Sequence, residues 1–264
     1  MAHTAVKIRT PRTSSKSWDA VARWYSGWAG PNGSRYHRRL AIPALLELLA
    51  PGRGERVLDL GSGHGVLAPH LAQRGVLVTG VDLSPRLISI ARRLHGHFAR
   101  FIVADVTRLE SLNVLSAAAF DAATFLLSIQ DIDPLEGALK SAAWALRTGG
   151  RLVIVMTHPC FRVPRQSGWG WDEKRALRFR RVDRYLSRLA VPMQPYDGRR
   201  RGATRSYHRP LEAYVEGLAA NGLVIDAIRE LPAAELEAGP HARGFRTAAC
   251  REIPLFMGLR AVKR

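Results

Sequence analysis

Short apolar segments alternate with segments of helical periodicity between residues 55 and 157. The predicted strands are ERVLDLG, VLVTGVD, ARFIVAD, AFDAATFLL and GGRLVIVMT. HGVLAPHLAQRG and PRLISIARRLHG are predicted helices, the second with Ser84 as its N-cap and Pro85 in its first turn. Hydrophobic strands joined by helical connections predict an α/β fold with a parallel sheet covered on both faces.

Other patterns flank this alternation. SWDAVARWYSGWAG and SRYHRRLAIPALLELLA predict two helices before the first strand, with a kink at Pro43. Residues 158–208 interrupt the alternation of strands and helices. They are rich in Arg, Pro and aromatic residues, and only EKRALRFRRVDRYLSRLA suggests a short helix. RPLEAYVEGLAANG, LVIDAIREL and REIPLFMGLRAV then restore it. We expect one domain over 17–264 with a cap insertion over 158–208.

Composition narrows the class of protein. The formal net charge of the 264 residues is +18, and arginine supplies nearly all of it, which would attract anionic partners or simply reflect an arginine-rich composition. No apolar run is long enough to span a membrane, and the two cysteines predict neither a disulfide scaffold nor a zinc site, so no metal is expected. We expect a cytoplasmic protein. The basic segment 1–16 is expected to be a disordered tail, with a transit peptide as the alternative.

The segment RVLDLGSGHGVL combines a strand with a turn containing Gly61, Gly63 and Gly65. Such a turn lets the backbone approach a ligand, but no Walker lysine follows it, and Asp59 would repel a pyrophosphate. Asp82 and Asp105 close the next two strands, so three carboxylates meet at one edge of the sheet. This set favours a cofactor with positive charge and sugar hydroxyls, as S-adenosylmethionine has.

Five motifs in order resemble those of class I S-adenosylmethionine-dependent methyltransferases. They are VLDLGSGHGVLAPHLAQRG, VTGVDLSP, FIVADVTRL, FDAATFLLSIQDI and LRTGGRLVIV, and the resemblance extends from about Ser17 to the C-terminus. The similarity is to the small-molecule branch that includes enzymes of ubiquinone and menaquinone biosynthesis. It implies a Rossmann-like, doubly wound, seven-stranded and mostly parallel sheet with an antiparallel last strand, and an N-terminal helical lid over 17–50.

The resemblance also implies roles for individual residues. The methionine part of the cofactor would be held by the loop after the first strand, the ribose by Asp82, and the adenine by Leu83, Asp105 and Val106. Leu127 and Ser128 would form the floor of the site. The loop residues so assigned are Asp59, Gly61, Ser62, Gly63 and Gly65.

Acceptor-binding residues are expected in the two segments able to cover the cofactor. The lid offers Tyr25, Tyr36 and His37, while its tryptophans have ordinary helix packing as an alternative. In the insertion, His158 directly follows the fifth strand and is a candidate general base or hydrogen-bond partner of the acceptor. Tyr25 in the lid is the other candidate catalytic residue, placed to close over the donor or touch the acceptor. The remaining candidates for substrate binding are Arg162, Arg165, Trp169, Trp171 and His208. Residues 158–210 contain 14 Lys and Arg against four acidic residues, which suggests an anionic or aromatic acceptor.

The function predicted is methyl transfer to a small-molecule acceptor. An RNA methyltransferase is the first alternative, because of the charge and the interleaved aromatic residues. No RNA-binding module or amino-methylating motif is recognisable, and Cys160 lacks the companion Pro-Cys that RNA cytosine methyltransferases carry. A nicotinamide oxidoreductase and a non-catalytic cofactor-binding subunit are further alternatives. The oligomeric state and the acceptor do not follow from the sequence.

Overall fold

The fold is described by a computed structural model that covers residues 16–111, 115–193, 204–233 and 245–264. A seven-stranded sheet has the strand order β10-β11-β5-β4-β1-β2-β3. Its members are β1 (Arg56–Leu60), β2 (Leu77–Asp82), β3 (Ala99–Val103), β4 (Phe120–Leu126), β5 (Leu146–Thr157), β10 (Leu223–Leu231) and β11 (Phe256–Lys263). Strand β11 runs antiparallel to both β5 and β10, and the pairs β3-β2-β1-β4-β5 are parallel. The predicted sheet with an antiparallel last strand is therefore confirmed.

Helices cover both faces of the sheet. They are α1 (Lys16–Ala29), α2 (Ile42–Leu49), α3 (Ala68–Ala72), α4 (Pro85–His95), α5 (Leu135–Ala145), α6 (Leu211–Ala219) and α7 (Phe245–Glu252). One core cluster joins α2, α3 and α4 to the sheet, and a second joins α5 and α6 to its other face. Single turns of 3-10 helix lie at Leu109–Ser111 and Ile129–Asp131.

Two local predictions about helices can be checked in detail. Ser84 accepts a hydrogen bond from the Leu87 amide at 3.2 Å, so it caps α4 as predicted, with Pro85 in the first turn. A π-helical turn over His37–Ala41 precedes Pro43 at the start of α2. Proline has no amide hydrogen to continue an α-helical ladder, which accounts for the irregular turn at this point.

The predicted helix within residues 173–190 is wrong. The insertion instead forms two antiparallel hairpins, β6 (Ser167–Asp172) with β7 (Leu177–Val182) and β8 (Leu189–Met193) with β9 (Thr204–His208). The LRFRRV segment of β7 alternates with a period of two, and alternate residues are exposed. The arginines of the other face cover Trp169 of β6, whereas an arginine-rich surface helix would have left this tryptophan without a partner layer.

One predicted segment lies outside the described residues, and one helix of the structure was not predicted. The expected tail falls on residues 1–15, which lie outside the described residues, while Lys16 already begins α1. Helix α7 was not predicted, because RTAACREI reads without a strong apolar stripe.

Candidate cofactor and acceptor site

A cavity of about 370 Å³ lies beyond the carboxyl ends of the parallel strands. The turn after β1 forms one wall, α1 another, and the segment after β4 the floor. The position agrees with the rule that ligands of open α/β sheets bind outside the carboxyl ends, where the strand order reverses between β1 and β4.

The glycine turn needs glycine at Gly61 and Gly65 for different reasons. Both have positive φ, at 69° and 83°. A Cβ at Gly61 would lie 2.7 Å from the Cβ of Ser128, so this glycine keeps the turn against the cavity floor. A Cβ at Gly65 would lie 2.7 Å from the ring of Phe101, so Gly65 packs the turn onto β3 and does not line the cavity.

Asp59 is buried at the base of the turn. Its neighbour across the sheet is Thr124, whose Oγ1 donates a hydrogen bond to Asp59 Oδ1 at 3.0 Å. Burial raises the pKa of Asp59 to about 7, against the effect of this bond. No lysine or arginine in the described ranges forms an ion pair with it. A cationic ligand group would supply the missing charge, so Asp59 fits the ammonium group of S-adenosylmethionine.

Asp82 ties the glycine turn to the end of β2. Its carboxylate accepts from the Gly63 amide at 2.8 Å and from the Ser84 amide at 2.9 Å. Burial raises its pKa, while these two bonds lower it. Asp82 also lines the cavity, and a carboxylate can accept further hydrogen bonds, as from the ribose hydroxyls of the cofactor. The buried Ser62 Oγ has no hydrogen-bond partner among the described residues.

Asp105, Val106 and Leu83 also line the cavity. Asp105 Oδ1 accepts from the amide and the hydroxyl of Thr107, at 3.0 and 2.7 Å, and its Oδ2 pairs with Arg108. These bonds fix the turn after β3 at the rim of the site. The predicted adenine-reading side chains therefore share one wall.

The floor of the cavity is built on Leu127 and Ser128. Leu127 has φ of 51°, a left-handed conformation that is unfavourable for a leucine, and its amide donates to Val155 O at 2.7 Å. Ser128 Oγ donates to Leu60 O at 2.8 Å, which joins the end of β4 to β1. The strained turn is held from both neighbouring strands and presents its residues to the cavity.

Helix α1 covers the cavity with one aromatic face. Its lining residues recur at helical spacing and are Trp18, Val21, Trp24, Tyr25 and Trp28. The tryptophans, for which ordinary packing was the alternative, thus contribute to the cavity wall. Asp19, on the docked side of α1, accepts from the Ser84 hydroxyl and from the Arg86 amide. The chain after α1 is fixed as well, because His64 and His95 Nε2 donate to Gly30 O and Pro31 O at 2.9 and 3.1 Å.

Tyr25, Tyr36 and His37 all reach the cavity, as expected for acceptor-binding candidates. Burial, with smaller effects of Asp131 and Asp82, raises the pKa of Tyr25, so its hydroxyl stays protonated and is a donor rather than a base. The Ser34 amide donates to His37 Nδ1 at 3.3 Å, which leaves the proton of the neutral ring on Nε2. Burial lowers the pKa of His37 to about 4, so this ring is a neutral donor.

The structure does not bring the insertion's candidates into the cavity. His158 is buried outside it, accepting from the Cys160 amide on Nδ1 and donating to Glu230 on Nε2 at 3.0 Å. Burial lowers the pKa of His158, and neither nitrogen is left to act as a base. His208 donates to Tyr185 O. The others, which lie in or near the β6–β7 hairpin rather than in the cavity lining, are Arg162, Arg165, Trp169 and Trp171.

Other residues reach the cavity that the sequence did not single out. Gln130 and Asp131 follow Ser128 on the 3-10 turn, and Thr157 ends β5. Met193 and Thr204 come from the adjacent ends of β8 and β9, so the insertion covers the cavity through its second hairpin. The polar residues directly after β4 were the available signal, since strand ends meet at this edge of the sheet.

The sheet order and the acidic cavity define the class I S-adenosylmethionine-dependent methyltransferase fold. A family model described as a methyltransferase domain matches residues 34–195, and the chain belongs to that family. A ubiquinone biosynthesis O-methyltransferase of Xylella fastidiosa is 34% identical over 141 residues, which are 52% of this chain and 56% of that protein. A demethylmenaquinone methyltransferase of Tropheryma whipplei is 34% identical over 118 residues, 44% of this chain and 48% of that protein.

Solved structures support the same fold. A crystal structure of an S-adenosylmethionine-dependent methyltransferase from Mesorhizobium loti superposes with a TM-score of 0.68 at 24% identity, over 89% of this chain and all of that one. The chain spans about half the length of the curated relatives it matches. In the described part of the chain, no helix is long and apolar enough to cross a membrane, and no group of three or more potential ligands could hold a metal.

Proposed function

We propose that the protein transfers the methyl group of S-adenosylmethionine to a small-molecule acceptor bound beneath α1. The observation that carries this proposal is the division of one cavity between two kinds of wall. Asp59 and Asp82 give one part of the lining a polar character suited to the cofactor, and the aromatic residues of α1 line another part of the same cavity. Two relatives are named as a ubiquinone biosynthesis O-methyltransferase and a demethylmenaquinone methyltransferase, which supports a small-molecule acceptor here too.

The chain's own residues have three tasks in this reaction. When bound, S-adenosylmethionine supplies a methyl group already activated on a cationic sulfur. The glycine turn and the carboxylates orient it, the aromatic residues of α1 exclude water, and Leu127 and Ser128 hold the floor at a fixed distance from the turn. Positioning two reactants in a water-poor site is the main requirement of such a displacement.

An anionic acceptor is not supported by the cavity lining. Among the described residues that line it there is no lysine or arginine, and the lining includes five aspartates. The predicted arginine contacts at Arg162 and Arg165 lie outside. A cytoplasmic location stays a prediction from the sequence.

Calorimetry tests the proposal directly. We expect the protein to bind S-adenosylmethionine and S-adenosylhomocysteine but not NAD, and to transfer isotopic label from the methyl donor to a component of a metabolite extract. Binding of NAD with no binding of S-adenosylhomocysteine would contradict it and favour an oxidoreductase. Cofactor binding without label transfer to any extract would favour a non-catalytic subunit.

A further inference from the structure

Methyl transfer to a hydroxyl or amine releases a proton, and the cavity has several groups that could be asked to receive it. Most are already committed. Tyr25 is held protonated, and His37 presents a proton on Nε2. His64 donates its Nε2 proton to Gly30 O. Tyr25 and the Nε2 atoms of both histidines are therefore donors, and burial lowers the pKa of the two imidazole rings, which makes them weak bases.

Most of the carboxylates that line the cavity also have other partners or roles. Asp59 and Asp82 belong to the cofactor side, and Asp105 is used by Thr107 and Arg108. Asp133 pairs with the buried guanidinium of Arg209 at 2.9 Å. Asp131 remains as the carboxylate on the floor that forms no ion pair with a lysine or arginine of the described chain.

Asp131 is held in place by the insertion. It ends the 3-10 turn after β4, which packs against β9, and the Ser206 side chain of β9 lies close enough to its carboxylate to lower the pKa. Ionisable groups face it from three other elements: Tyr25 of α1, Tyr214 of α6, and Arg209 after β9, whose guanidinium is directed to Asp133 and Ile132 O. The site therefore has a fixed carboxylate without a dedicated counter-charge.

Gln130 adds a second acceptor atom beside Asp131. Its Nε2 donates to Leu127 O at 2.6 Å, which fixes the orientation of the amide. Its Oε1 is buried and has no hydrogen-bond partner among the described residues. A buried carbonyl without a partner is costly, so a ligand that donates to it is favoured.

We propose that Asp131 is the catalytic base and that Asp131 and Gln130 together select an acceptor that presents O–H or N–H groups and carries no negative charge. The acceptor's oxygen or nitrogen lone pair forms the bond to the methyl carbon while the carbon–sulfur bond breaks and its electron pair stays on sulfur. The acceptor's proton passes to the Asp131 carboxylate and then to water after product release. This inference rests on the proposed function.

Burial supports this assignment, because it raises the pKa of Asp131 to about 7 despite the opposing effects of Ser206 and Arg209. A base with a pKa near the working pH combines sufficient ionisation with sufficient proton affinity. Only the ionised form accepts the proton, so kcat should rise with pH up to about 7 and level off above it.

Three phenols that differ in charge test the proposed selection: neutral 4-ethylphenol, cationic tyramine and anionic 4-hydroxyphenylacetate. Each is titrated into protein saturated with S-adenosylhomocysteine. With Asp131 ionised, we expect 4-ethylphenol and tyramine to bind at least about tenfold more tightly than the anionic 4-hydroxyphenylacetate, a difference of about 1.4 kcal/mol. Asp131→Asn should remove most of this difference. Preference for 4-hydroxyphenylacetate, or no binding of any probe, would overturn the proposed selection.

The base is tested with the probe that accepts labelled methyl fastest. Asp131→Asn keeps the shape of the side chain and one acceptor oxygen, and we expect it to lower kcat by about 10² to 10⁴ and to flatten the pH profile. Asp183→Asn, outside the cavity, should match the wild type. Unchanged kcat and pH profile in Asp131→Asn, or transfer to no probe, would overturn the role. Failure of the wild type to bind S-adenosylhomocysteine would instead overturn the proposed function.

Discussion

Asp59 is the most enclosed carboxylate of the cofactor wall, and its pKa is raised to about 7 by burial. A cationic ligand group binds its ionised form, so ligand affinity should depend on pH. We expect S-adenosylhomocysteine to bind more tightly as the pH rises from about 6 to about 8, with a slope approaching tenfold per unit below the pKa. Calorimetry across this range measures the slope.

Asp59→Asn is the matched variant, because asparagine can still accept the hydrogen bond from Thr124. It should bind more weakly than the wild type at about pH 8 and show a flat profile. If the wild type and the variant had the same pH slope, Asp59 would not be the group that meets the cofactor's positive charge.

Asp82 carries two backbone hydrogen bonds in addition to its predicted contact with the ribose. Asp82→Asn can keep at most one acceptor oxygen, so both the glycine turn and the ligand lose a partner. We expect affinity for S-adenosylhomocysteine to fall by about 30- to 100-fold, which corresponds to roughly 2 to 3 kcal/mol. Asp226→Asn, in the exposed pair with Arg260, is the control and should bind normally. Equal affinities for the two variants would remove Asp82 from the site.

At the scale of the element, the turn between β1 and α3 depends on the close approach of Gly65 to Phe101. Gly54 provides a matched comparison, since both glycines have φ of 83° but nothing lies within 4 Å of a Cβ at Gly54. Gly54→Ala should lower the free energy of unfolding by about 1 kcal/mol, the cost of the left-handed backbone. Gly65→Ala should cost about 1 to 3 kcal/mol more, because of overpacking. Urea denaturation measures both, and equal losses would contradict the packing role of Gly65.

Helix α1 is a second element whose docking can be tested. Asp19 joins it to the start of α4 through the Ser84 hydroxyl and the Arg86 amide. Asp19→Ala should release this end of the helix, increase hydrogen exchange over residues 18–30 and weaken S-adenosylhomocysteine binding several-fold. Ser26→Ala, which removes only a bond to Arg23 O within the same helix, should change neither. Unaltered exchange in Asp19→Ala would show that aromatic packing alone holds α1.

Local patterns predicted the central sheet well, because short apolar strands, the glycine turn and the Ser84 cap are encoded within a few residues. They failed for residues 173–190. The alternation of LRFRRV indicates a strand only when it is known that the arginines of one face pack on Trp169 of the neighbouring strand. The same dependence on distant contacts explains which site residues could be predicted from the sequence. The candidate cofactor residues lie within short motifs and could be proposed from them. The position of His158 after β5 does not indicate that it bonds to Glu230, which is 72 residues away.

Asp131 shows the complementary failure. It stands in FDAATFLLSIQDI, one of the five motifs that resemble the family, but its proposed role depends on Ser206 of the insertion and on the pairing of Arg209 with Asp133. These contacts join distant parts of the chain. Without them, an aspartate after β4 cannot be distinguished from a helix cap or a solvated turn.

At the scale of the whole molecule, the net charge of +18 remains to be explained. In the β6–β7 hairpin, Arg178 and Arg180 lie over Trp169 at 4.5 and 5.3 Å from its ring centre, and none of the three lines the cavity. Such a surface attracts polyanions without selecting among them. The RNA methyltransferase alternative therefore needs a measurement of its own.

We expect a short single-stranded RNA to bind at low salt and to lose at least about tenfold in affinity between roughly 50 and 200 mM salt, as counterion release requires. Fluorescence anisotropy at several salt concentrations gives the slope. A second RNA of unrelated sequence serves as the control and should bind equally. Tight, sequence-dependent binding that persists at the higher salt would favour RNA as the acceptor.

The α1 region is held at both ends by hydrogen bonds, through Asp19 to Ser84 at one end and through His64 and His95 at the other. If a bound nucleoside leaves past α1, these hydrogen bonds must open first. Release of the demethylated cofactor would then limit the steady-state rate, and rapid transfer of one methyl group per protein molecule would precede the slower steady-state phase.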